Sequence, residues 1–225
     1  MKHIKLVLLL AMGTLVSACA GTNTTSRNAP FEAEGLPFAE QSQPFAATEQ
    51  VGANNTDVRV ENITIRVPRS LKVSEGNGYL PSTDIVWRGD PIGDRHAQIG
   101  AIFNDAMKKG TQSLEGATPV YLDIEVTRFH ALTERARYST GGVHNINFIL
   151  SLRHAVTNAP LGEPRRVRAD LTAFGGRQAL EAEARGQTQK VRITNMLAEA
   201  IRQELTTPEG FQNPKLGLIQ AMNQL

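Results

Sequence analysis

Four histidines lie beyond the extreme N-terminus: His96, His130, His144 and His154. Imidazole is the side chain best suited to moving a proton near neutral pH or to holding a metal ion. None of the four stands two or four residues from another, so neither a strand nor a helix offers a ready-made pair. His130 and His144 flank a turn-rich stretch and can meet across a hairpin. A metal site there, or a nucleophile such as Ser139 beside one of them, is one reading; plain packed or surface imidazoles is the simpler one. Asp123 and Glu125 share a face of any strand that carries them, as paired acid–base carboxylates would. Arg153, Arg166 and Arg168 on neighbouring segments offer a more ordinary account, cross-strand charge pairs on a solvated face. No phosphate-binding Walker loop, dinucleotide fingerprint, H-E-x-x-H or G-x-S-x-G occurs. The expectation is therefore a protein without catalysis, metal or cofactor.

Two groups of residues suit binding instead. Between Arg128 and Arg168 stand seven arginines, Arg128, Arg135, Arg137, Arg153, Arg165, Arg166 and Arg168, against Glu134 and Glu163 alone. The guanidinium fork matches phosphate geometry. An ordinary solvated sheet face is the competing account. Tyr79, Trp87 and Arg88 sit in a long loop rich in Gly and Pro, from Ser74 to Gly93. Long ordered loops often carry function, and Tyr and Trp often anchor interfaces; equally, Trp87 can simply plug one end of the core. The candidate partner or phosphate contacts are thus Tyr79, Trp87, Arg88, Arg135, Arg137, Arg166 and Arg168.

The firmest chemistry is at the N-terminus. Lys2 and Lys5 form a basic start, Leu6 to Met12 a short apolar core, and Leu15-Val16-Ser17-Ala18 leads into Cys19. That is a secretory signal, too short to span a bilayer, which takes ~20 apolar residues. Small residues ending at a cysteine resemble the bacterial lipobox. The resemblance implies cleavage after residue 18 and acylation of Cys19, and multiple acyl chains hold a protein stably at a membrane. Cys19 is the sole cysteine, so an internal disulfide, thiol catalysis and cysteine metal sites are excluded. Ala20 rather than Asp follows it, which by resemblance to enterobacterial sorting favours the outer membrane, periplasmic side; inner-membrane anchoring stays open. Losing Lys2 and Lys5 from the 24 basic residues leaves 22 against 22 acidic ones, a neutral mature chain. Neutrality and export argue against a nucleic-acid partner.

Residues 19–56 read as the lipidated cysteine and a polar tether, too poor in apolar surface to fold alone. Its 38 steps span ~35 Å as a flexible coil. Phe31, Leu36, Phe38 and Phe45 interrupt the polar stretch. Residues 57–207 carry the periodicities of one domain, and 208–225 form a tail. Val58, Val60, Ile63, Ile65 and Val67 alternate as a strand, with an irregularity near Glu61-Asn62. Ile85–Trp87 is a candidate short strand. Asp94 is a good N-cap for a helix striped by Ile99, Ile102, Phe103, Ala106 and Met107, which Gly110 is expected to close. Pro119 to Thr133, Val143 to Thr157 and Arg165 to Phe174 alternate as three consecutive strands, and an antiparallel meander is their economical pairing. Ala179 to Arg185 suggests a short helix. A final one runs from about Thr188 to Leu205, with Ile193, Leu197, Ile201 and Leu205 every four residues. The order β-α-β-β-β-α predicts an α+β two-layer sandwich, a mostly antiparallel sheet covered by two helices.

Three runs carry a closer likeness: Tyr79 to Pro91 with Asp84-Ile85-Val86-Trp87-Arg88-Gly89-Asp90, Arg128 to Tyr138 with Arg128-Phe129-His130, and Gly186 to Thr194 with Gln189-Lys190-Val191-Arg192. They resemble an alphaproteobacterial lipoprotein family of unknown function, which names no activity. Anchor, tether and this element order are also similar in architecture to the auxiliary lipoproteins of ABC-type transport systems. The expected role is a non-enzymatic outer-membrane lipoprotein facing the periplasm that binds or scaffolds another envelope component. The alternative is an accessory lipoprotein of lipid or glycolipid transport holding phosphate-bearing headgroups, which requires an apolar groove between sheet and helices. A remote alternative is an unfamiliar hydrolase using Ser139. Partners are expected to be the membrane, through the lipid, and an envelope protein or lipid.

Overall fold

Two changes of side-chain parity shape the sheet. In the computed structural model, which describes residues 57–80 and 82–213, the first strand β1 spans Val58–Arg66. Its inward residues are Val58 and Val60, then Ile63 and Ile65, even positions followed by odd ones. A strand alternates with period two, so both sets reach one face only across an extra residue. The register slips accordingly between Val60 and Asn62, at the irregularity the sequence signals. The expected signal peptide, Cys19, the tether and the tail beyond Asn213 lie outside the described residues.

The short strand β2 is Ile85–Val86 and the helix α1 is Arg95–Thr111. Asp94 caps α1 as expected, its carboxylate accepting from Ala97 N–H at 3.1 Å. The expectation for Gly110 is corrected. It is not the closing residue but lies inside α1, whose C-cap is Gln112. A Cβ at Gly110 would stand 2.2 Å from Ala198 O, so the absence of a side chain there serves a close helix crossing.

The strand β3 covers Thr118–His130, the one-turn helix α2 Glu134–Arg137, β4 Gly142–His154 and β5 Arg165–Ala173. The helix α3 spans Gly176–Ala184 and α4 Gln189–Thr206, capped by Thr188. The sheet order is β1-β3-β4-β5, with β2 also pairing with β3. The long ladders β3–β4 and β4–β5 are antiparallel, as the meander predicts; β1 and β2 join β3 in parallel. The α+β class is borne out, as one mixed five-stranded sheet. The turn α2 is new: four residues are too few to show a helical period.

Helices α1 and α4 pack on one face of the sheet. The layer between holds Ile102, Phe103, Phe129, Phe148, Leu150, Leu197 and Ile201, all buried. Trp87 belongs to this core, with no exposed surface. Its ring meets Phe129 edge-on at 5.6 Å, and Phe103 stands edge-on to Phe148 at 5.5 Å. The opposite face of the sheet is polar.

Candidate functional site

The second parity change builds the site. Val120, Leu122, Ile124 and Val126 of β3 face the core, but so do Phe129 and Ala131. The register slips between Val126 and Arg128, and the slip turns Arg128 and His130 onto the open face. There they form rows with the neighbouring strands. Arg128 lies beside Asn147, which pairs with Arg168; His130 lies beside Asn145, which pairs with Asp170.

Lys72, Tyr79, Leu80 and residues 82–84 stand at this end of the face and, with it, line a cleft of about 660 Å³. Arg128, His130 and Asn145 contribute to its lining, along with Lys72, Asp84, Thr133, Val143, Tyr79 and Leu80. The loop that bears Tyr79 and Leu80 is tied down at both ends. Thr133 donates to Gly78 O at 2.8 Å, Arg135 N–H to the Asn77 side chain at 2.9 Å, and Phe129 N–H to Asp84 O at 2.9 Å. Gly141, with φ of 71°, closes the far side where a Cβ would stand 2.7 Å from Ala173 O. The rim is apolar and exposed: Tyr79 is 51 % and Leu80 78 % accessible. The Arg135 guanidinium lies 5.4 Å from the Tyr79 ring centroid.

His130 is held neutral in one tautomer. Arg128 can only donate, so His130 Nδ1 accepts from it at 3.1 Å. The Nε2–H therefore donates to Thr83 O, tying the loop to the floor. Burial and the Arg128 charge both push the His130 pKa down. His144 does not join it. Its side chain points into the core from the other face, so the two histidines do not meet across the hairpin. Among the described residues no cluster of three potential metal ligands occurs. Ser139 donates to Arg135 O and lies 3.5 Å from Tyr79 Oη, with neither histidine as its partner.

The remaining sequence candidates are dispersed. Trp87 is buried and donates to Asp90 at 2.9 Å, so it presents no contact surface. Arg88 pairs with Glu75, whose carboxylate also accepts from Arg95 at 2.8 Å. Arg137 pairs with Glu183 on α3. Asp123 pairs with Arg153 at 2.7 Å, the cross-strand account of that carboxylate; Glu125 pairs with Arg66 of β1 rather than with Arg166 or Arg168. Tyr79 and Arg135 reach the cleft rim, while Arg166 and Arg168 lie exposed on β5. Lys72 and Asn145 carry no sequence signal as contacts, whereas Arg128 stands among the seven arginines that suit phosphate and His130 among the candidate histidines. The parity break at Thr127 is the signal that finds Arg128 and His130 on the open face.

The runs that carry the sequence likeness converge here. Tyr79, Leu80 and residues 82–84 of the first face Arg128 and His130–Thr133 of the second across the cleft. The third reaches the first through Lys190, which donates to Asp90 at 2.9 Å. The model of a family of unknown function, DUF6778, matches residues 58–221, the whole sheet and all its helices. The chain belongs to this family. No curated protein matches it. Among solved structures it is similar to a candidate lipoprotein from Caulobacter crescentus CB15, at 14 % identity over 70 % of this chain and 96 % of that one, TM-score 0.32. A DUF330 family protein from Xanthomonas campestris shares 14 % identity over 66 % and 86 % of the two chains, TM-score 0.39. A chain of the PelC dodecamer from Paraburkholderia phytofirmans shares 14 % over 64 % and 89 %, TM-score 0.25. Among the described residues no helix is long and apolar enough to cross a membrane.

His144 is a structural group with a measurable consequence. It is fully buried, and neither ring nitrogen meets a partner among the described residues. Burial, reinforced by the charges of Arg192 and Arg137, lowers its pKa to about 3. The unfolded chain, titrating near 6.5, then binds the extra proton first as pH falls. Stability from this residue is complete above pH 6.5 and declines toward pH 3. Between pH 7 and pH 5.5 the wild type should lose about 1 kcal/mol that a His144→Leu variant keeps. Urea denaturation at the two pH values measures the difference.

Proposed function

We propose that the family member is a non-enzymatic lipoprotein of the outer membrane, facing the periplasm, that binds another envelope component in the cleft over the open face of the sheet. The N-terminal signal and the lipobox-like approach to Cys19 support the anchor, and Ala20 supports the outer membrane. The observation that carries the binding role is the cleft itself, about 660 Å³, tied shut at its edges and rimmed by exposed Tyr79 and Leu80. Exposed aromatic and aliphatic side chains around a concave polar floor are the usual make-up of a recognition site.

Geometry adds a direction. The chain enters the sheet at Val58, which pairs with Thr118 at the start of β3, while His130 at the other end of β3 lines the cleft. Those twelve steps of strand place the cleft ~40 Å from the point where the tether joins. The partner is thus met at the end of the domain remote from its N-terminal attachment. Photo-crosslinking from Leu80 in the native envelope tests this reading. Capture of one discrete component supports it, and failure to capture any removes it.

An accessory role in lipid or glycolipid transport is the second reading. The apolar groove expected between sheet and helices is occupied by Ile102, Phe103, Phe129 and Phe148. A lipid ligand would have to use the open-face cleft, and its cationic floor favours that possibility.

A further inference from the structure

We infer that the cleft recognises a phosphate-bearing group, with Arg128 and Lys72 as the residues that hold it; this rests on the binding role proposed above and names its chemistry. Arg128 has a partly buried guanidinium that forms no ion pair with any described residue. One of its NH2 hydrogens is spent on His130, a neutral acceptor, and its buried Nε–H meets no acceptor among the described residues. A partly desolvated guanidinium without a carboxylate is costly, and a bound anion offsets that cost. The fork is the geometry that phosphate oxygens fit in pairs.

Among the charged side chains that line the cleft, the two cations Arg128 and Lys72 outnumber the one carboxylate, Asp84. Lys72 lines the same cleft with an ammonium that has no partner among the described residues. Asp84 is the carboxylate that lines it, and one of its oxygens already accepts from Lys72 N–H at 2.8 Å. Leu80 and Val143 supply apolar walls, so the site suits a phosphate attached to a greasy body as well as a free one.

The test titrates the full chain in dodecyl maltoside micelles, by calorimetry, with inorganic phosphate, dihexanoylphosphatidic acid and uncharged dihexanoylglycerol. Phosphatidic acid is expected to bind and dihexanoylglycerol not to. Arg128→Gln should weaken binding at least tenfold. Lys72→Gln, at an exposed position that the fold does not need, should weaken it several-fold and keep the result readable if Arg128→Gln unfolds. Competition by inorganic phosphate supports recognition of the phosphate alone; binding of the lipid without such competition supports a lipid source. Absence of binding by both phosphate probes, or binding unchanged in both variants, overturns the inference. A crosslinked partner still captured from Leu80 in that case would leave the binding role standing and sink its phosphate chemistry alone.

Discussion

Replacing Trp87 by alanine should cost the domain about 3–5 kcal/mol, the range for deleting a large fully buried aromatic. The magnitude follows from what the ring touches. It has no exposed surface, lies edge-on to Phe129 at 5.6 Å, and donates Nε1–H to Asp90 at 2.9 Å. Gly89 folds against it so closely that a Cβ there would stand 2.2 Å from the indole. Deleting the ring therefore opens a cavity and unpairs part of a carboxylate. Trp87→Phe keeps most of the volume and should lose clearly less, the hydrogen bond and one ring's worth of packing. Guanidinium denaturation of both variants decides the point. A loss below about 1 kcal/mol for the alanine variant would mean that Trp87 is not a core residue.

Gly110→Val should destabilise by about 3 kcal/mol, toward the upper end for overpacking. In an isolated helix, replacing glycine by alanine gains ~1 kcal/mol of propensity. Here the new Cβ would stand 2.2 Å from Ala198 O and 2.4 Å from Ile201 Cγ2. The first of these atoms is backbone of α4, itself seated on the sheet through Ile193, Leu197 and Ile201, so it has little room to retreat. Packing wins over propensity, and even Gly110→Ala should lose stability. Thermal melts of the two variants read this directly; a stabilised Gly110→Ala would show that α1 and α4 cross further apart.

These examples mark where sequence reasoning succeeds and where it stops. Periodicity located the long strands, both long helices, the Asp94 cap and the meander, because each is a local pattern repeated over many residues. The same reasoning read Gly110 as a helix end, since glycine's use in turns is visible in sequence and its use in a close crossing is not. The cleft was harder still. Its floor depends on one extra residue in β3: with unbroken alternation Arg128 would share the core-facing side with Val126. The broken parity of Val126, Phe129 and Ala131 is present in the sequence. It becomes meaningful only when β4 supplies the register against which it is counted. Arg88 and Arg137 looked free because their partners Glu75 and Glu183 lie far away in sequence. An arginine's type suggests an anion, and only the fold says whether a carboxylate already supplies one.

The binding role is tested most directly by position-resolved photo-crosslinking of the full chain produced in its native cell. The photoreactive side chain replaces Leu80 at the cleft rim in one strain and Val156 in another; both are exposed, at 78 % and 80 %, and Val156 lies in the hairpin at the opposite end of β4. Mass spectrometry should recover a discrete envelope component from Leu80 and not from Val156. Equal recovery from both positions, or from neither, would contradict a binding site in the cleft.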